Sequence, residues 1–106
     1  MITVTIYRSS DQYAGFTVSG HAGYGDEGQD IVCAAVSVLT LNALNSIEAF
    51  TEDLFSGEEQ DGFLSCTFPE ELSEKAVLLM DSMVLGLTDI QRNYGKPYIS
   101  IVFKEV

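Results

Sequence analysis

The strongest constraint in this sequence is the abrupt change of character between residues 20 and 37. Gly20, Gly23, Gly25 and Gly28 crowd into one short stretch that also carries Asp26 and Glu27. A regular element cannot form there, because each glycine adds to the entropy lost on ordering. At Ile31 the chain turns apolar without transition: Ile31-Val32-Cys33-Ala34-Ala35-Val36. A strand must end, a loop must cross, and a buried helix must begin. Asp30 stands where a helix N-cap belongs.

The same stretch holds the only histidine, His21, and one of the two cysteines, Cys33. Free N–H groups and the dipole at a helix start favour negative charge, so a thiol placed there can act as a thiolate. A histidine on the adjoining strand end can take the thiol proton. On residue types, Cys33 is the candidate nucleophile and His21 the candidate base. The competing reading of Cys33 is a buried thiol on an apolar helix. Asp30 and Ser37 are supporting candidates. Asp30 either caps the helix or orients His21 as a third catalytic member. Ser37 lies one turn behind Cys33, facing the sulfur or bonding back along its own helix. The N–H of Cys33 itself is one candidate oxyanion donor. Gly23, Gly25 and Gly28 make the connecting loop flexible, either as a lid or as a plain connector. Cys66 alternates with Ser65 and Thr67 and reads as core.

Elsewhere the pattern alternates between periods of two and 3.6. Ile2, Val4 and Ile6 mark a half-buried strand, and Ser9–Gln12 a turn. Tyr13–Gly20 follows as a strand with Ala14, Phe16 and Val18 on one face. The first helix runs from Ile31 to about Phe50. A short strand is expected at Thr51–Phe55, an acidic turn at Ser56–Gly62, and a strand at Phe63–Phe68. Pro69 is expected to open the second helix, whose stripe is Leu72, Ala76, Leu79, Met80, Met83, Leu87 and Ile90. Gly86 marks a close contact within it. Asn93-Tyr94-Gly95 ends the helix and Pro97 prevents its continuation. Tyr98–Phe103 is apolar on both faces, as in a central strand. The fold class is α+β: a mostly antiparallel sheet of about five strands, two helices on one face, order ββαββαβ. Residues 1–106 read as one domain.

The formal net charge is −11, with sixteen acidic residues against five basic ones. That argues against nucleic-acid binding, which needs Lys and Arg on phosphates, and fits a basic protein partner. One histidine and two separated cysteines do not make a zinc site, and no cofactor motif is present. The N-terminus lacks a signal-peptide pattern, and no unbroken apolar run reaches the length of a membrane span. Two cysteines without an export signal read as reduced thiols of a cytoplasmic protein.

Gly20-His21-Ala22-Gly23-Tyr24, followed by Gly28-Gln29-Asp30-Ile31-Val32-Cys33-Ala34-Ala35-Val36-Ser37, resembles the signature of the ribosomal-processing cysteine protease family, Prp. The resemblance implies a cytoplasmic, bacterial, homodimeric cysteine endopeptidase with Cys33 as nucleophile and His21 as general base. It implies a substrate too: the precursor of a large-subunit ribosomal protein, the twenty-seventh, which loses its N-terminal extension by a cut after apolar aromatic residues. The alternative is a non-catalytic acidic module that holds a basic ribosomal protein during assembly.

Overall fold

The computed structural model describes residues 1–26 and 29–106. Seven elements follow the expected order: β1 (Ile2–Ser9), β2 (Gln12–Ser19), α1 (Ile31–Phe50), β3 (Ser56–Gln60), β4 (Phe63–Thr67), α2 (Glu74–Tyr94) and β5 (Ile99–Glu105). The strands form one sheet in the order β3-β4-β2-β1-β5. All pairings are antiparallel except β1 with β5, which is parallel.

β1 buries Ile2, Val4 and Ile6, as their alternation requires. Its partners continue the same face, Phe16 opposite Ile6 on β2 and Ile99 and Ile101 opposite Ile2 and Val4 on β5. The helices close this face. Val32, Val36 and Ile47 of α1 and Met80 and Leu87 of α2 are essentially fully buried. Each such side chain contributes roughly 1.5–3 kcal/mol of burial free energy. Gly86 lets the helices approach, since a Cβ there would stand 2.8 Å from Leu39 Cδ1. By length and composition alone α1 is apolar enough to cross a bilayer, contrary to the reading of the sequence. In this fold its buried side is instead part of the core.

Four local expectations are revised. The acidic segment Ser56–Gln60 is a strand and not a turn, while 51–55 is not one. Every residue of β3 is exposed, so this edge strand carries no apolar alternation to read. α2 begins at Glu74, not at Pro69. Ser73 caps it, accepting the Ala76 N–H at 3.2 Å, and Asp53 holds Ser73 by accepting from its N–H at 2.7 Å and its hydroxyl at 2.5 Å. β5 is an edge strand, with Val102 and Phe103 exposed. A register shift between Tyr7 and Arg8 leaves Ala14 as a bulge, which turns Tyr13 onto the helix face. There Tyr13 donates to Asp81 Oδ1 of α2 at 2.5 Å, and burial followed by that carboxylate pushes its pKa up to about 12.

Candidate active site

The site is assembled where β2 ends and α1 begins. Asp30 is the N-cap, with extended backbone (φ −79°, ψ 105°). Its Oδ1 accepts the N–H groups of Val32 at 3.0 Å and Cys33 at 3.1 Å, two donors that a helix start leaves unsatisfied. Its Oδ2 accepts from Tyr24 at 2.9 Å and Gly25 at 3.3 Å. Partial desolvation opposes ionisation of Asp30. The N–H groups of Cys33, Tyr24, Gly25 and Val32 outweigh it and hold the carboxyl below the usual carboxylate range. Both oxygens thus serve backbone donors, and among the described residues no hydrogen bond joins Asp30 to His21. The cap reading stands, with a clamp on the loop that the sequence did not reveal. The Cys33 N–H, considered above as an oxyanion donor, is already engaged by Asp30.

Cys33 lies in the first turn of α1 and is partly exposed. Its Sγ accepts the backbone N–H of Ala22 at 3.3 Å. His21 follows the end of β2 and is exposed. Its ring lies over Gly62 of the β3–β4 turn, where a Cβ would stand 3.0 Å from Nε2. Gly62 has φ +73°, and its carbonyl accepts the Gly20 N–H at 2.9 Å, which ties the end of β2 to the hairpin. Glycine is needed at 62 on both counts, for the left-handed turn and for room beneath the imidazole. Among the described residues no hydrogen bond links His21 to Cys33.

His21, Cys33, Ser37 and Asp61 line both lobes of one cleft. The larger lobe, about 570 Å³, has a mixed lining, with Val18, Val36, Leu41, Phe63 and Leu64 beside Thr40, Glu59 and Gln60. The smaller, about 420 Å³, lies against Gly23, Gly25, Asp30 and Ala34. A thiol between two lobes suits an extended chain that passes the sulfur on either side. The four supporting and principal candidates, His21, Asp30, Cys33 and Ser37, are therefore brought together. Of the expected flexible loop, Gly23 and Gly25 border the smaller lobe, while Gly28 and Glu27 lie outside the described residues. Tyr24 packs edge-on against Tyr94, centroids 5.3 Å apart, and against Tyr98 at 5.0 Å, so this part of the loop is fastened to the end of α2. Sequence reasoning missed Asp61, Gly62 and Tyr24, whose contacts bridge distant parts of the chain. Among the described residues no cluster of His, Cys, Asp and Glu could hold a metal ion.

Cys66 differs in every respect. It is 3% exposed in β4, and burial pushes its thiol up to about 12.

The family model for the cysteine protease Prp matches residues 1–100. The ribosomal processing cysteine protease Prp of Bacillus subtilis is 37% identical over 101 residues, covering 89% of this chain and 90% of that protein. The crystal structure of the ribosomal processing protease Prp from Staphylococcus aureus, in complex with a covalently linked product peptide, superposes with a TM-score of 0.92 at 27% identity. It covers 98% of this chain and all of the other. The same protein in complex with a substrate peptide gives a TM-score of 0.86 at 26% identity, with the same coverage. The chain belongs to the ribosomal processing cysteine protease family Prp and is a cysteine protease.

Proposed function

We propose that the protein, acting as a single catalytic domain over residues 1–106, removes the N-terminal extension from the precursor of the large-subunit ribosomal protein, the twenty-seventh. Cys33 attacks the scissile carbonyl. His21 takes the thiol proton and returns it to the leaving amine, and water then releases the product from the thioester. The observation that carries this reading is that His21 and Cys33, twelve positions apart in the chain, line both lobes of the same cleft. Val18, Val36, Leu41, Phe63 and Leu64 along the larger lobe suit the apolar aromatic residues expected before the cut. A relative that carries a covalently linked product peptide supports a covalent route. Asp30 and Ser37 support the site, Asp30 by fastening the loop to the helix start. The net charge of −11 assists capture of a basic precursor before the cut. The resemblance further supports a homodimer working in the cytoplasm.

The test is incubation with the full-length precursor, followed by mass measurement of the products. The expected result is a single cut that frees the N-terminal extension. No cleavage by the wild-type chain, or equal cleavage by Cys33→Ala, would refute the reading.

A further inference from the structure

We propose that the backbone N–H of Ala22 is the oxyanion donor of the reaction, passed from the sulfur of Cys33 to the substrate oxygen as the bond forms. The inference rests on Cys33 being the nucleophile, as proposed above.

Three observations lead to it. First, the Cys33 N–H, the donor expected from the sequence, and four neighbouring N–H groups are committed to Asp30. The N–H groups of Val32 and Cys33 close on Asp30 Oδ1, those of Tyr24 and Gly25 on Oδ2, and that of Ala34 on the Asp30 carbonyl at 3.0 Å. Second, the Ala22 N–H is aimed at the reacting atom itself, 3.3 Å from Sγ. Third, Ala22 is 3% exposed, so its N–H is poorly placed to take water as an alternative acceptor.

The electron flow gives this N–H its role. The thiol proton has passed to His21, and the sulfur lone pair forms the S–C bond. The carbonyl π pair moves onto oxygen, so the negative charge leaves sulfur and appears two bonds away. Sulfur bound to carbon is a weak acceptor, and the new oxyanion becomes the best partner within reach of the same N–H. An effective donor stands about 2.7–3.1 Å from that oxygen. When the tetrahedral intermediate collapses, the C–N bond breaks and the amine takes the proton from His21. Because the donor is main chain, it is set by the strand exit. Gly20, whose N–H bonds to the Gly62 carbonyl, holds that exit in place.

The decisive experiment replaces this one nitrogen by oxygen. Residues 1–32, carrying lactic acid in place of Ala22, are ligated as a thioester to residues 33–106, with native Cys33 at the junction. A control chain with Ala22 is assembled in the same way. Both are assayed on a peptide spanning the cut site, at a pH where alkylation of Cys33 no longer rises. We expect kcat to fall about 10²–10³-fold with KM changed less than about threefold, as when one oxyanion donor is lost. A kcat within about threefold of the control overturns the proposal, and so does a deficit that disappears on that alkylation plateau, since it would reflect thiolate solvation only. Should the ester chain not fold, the wild-type protein labelled with ¹⁵N-alanine still decides. Its Ala22 amide proton should move downfield when a peptide aldehyde adds to Cys33, and an unmoved resonance in the adduct overturns the donor role. If the aldehyde fails to modify Cys33 at all, the nucleophile assignment falls, and Ala22 with it.

Discussion

Cys33 and Cys66 are the same group in two opposite settings. Cys66 lies within the sheet, paired between Phe16 of β2 and Gly57 of β3, 3% exposed, its thiol pushed up to about 12 by burial. Cys33 lies at the exposed end of the core helix, with an N–H on its sulfur and an imidazole on the same cleft. The contrast sets the proposed nucleophile at the ends of elements and the inert thiol in an interior. A strand interior spends its backbone donors on its neighbours. Past the strand exit the Ala22 N–H is free to face the sulfur, and the helix start leaves the side chain a path to solvent.

The largest effect should come from deleting each sulfur in turn. Cys33→Ala should lower kcat/KM at least about 10³-fold while the melting temperature stays close to wild type, because removal of a nucleophile costs more than about 4 kcal/mol of barrier. Cys66→Ala should leave kcat/KM within about threefold and instead cost about 1–2 kcal/mol of stability in urea unfolding, as a cavity in the core does. A reversed pattern would break the comparison outright.

Alkylation sharpens it next. At pH 8 a thiol at about 12 is only ~10⁻⁴ thiolate, and Cys66 is buried besides. Peptide mapping after limiting iodoacetamide should therefore show Cys33 labelled at least about 10²-fold faster than Cys66. In denaturant the two should converge; equal labelling of the folded protein would mean that placement does not govern reactivity.

Asp30→Asn isolates the clamp at the helix start. Asparagine is nearly as good a cap but carries no charge to hold both the loop and the helix. The variant should lose about tenfold in kcat/KM. The pH dependence of stability gives a second reading. The folded pKa of Asp30 is depressed, so its stabilisation is present above the usual carboxylate range and is lost as pH falls through the folded value. The stability gap between wild type and Asp30→Asn should therefore close on acidification. A gap that stays constant down to pH 2 would show that the charge plays no part.

The smallest effect concerns the overall acidic charge of the chain. Raising ionic strength to the physiological range should lower kcat/KM for the basic precursor by a factor of a few, with kcat unchanged. A short neutral peptide with the same cut site should respond much less. Equal responses would reduce the −11 charge to a matter of solubility.

Most of the architecture was legible because it is written in short-range patterns. The alternation of Ile2, Val4 and Ile6 placed β1, and the stripe through Ala76, Met80, Met83 and Leu87 placed α2, since burial selects apolar residues at the period of the element. The exposed β3 has no buried face and so left no such record. The start of α2 was misjudged at Pro69 because the true cap, Ser73, depends on Asp53, twenty residues earlier.

The sequence by itself determined the order of the elements, the helix start at Asp30-Ile31 and the setting of His21 and Cys33 on either side of a glycine loop. Capping, periodicity and glycine content act within a few residues and can be read there. Only the tertiary structure decided that β5 lies parallel beside β1, that the β3–β4 turn runs under His21, and that Tyr24 rests on Tyr94 and Tyr98. It alone decided that the Ala22 N–H points at the sulfur. These contacts depend on hydrogen-bond direction and close approach between segments remote in the chain, and such contacts impose no period on the residues that make them.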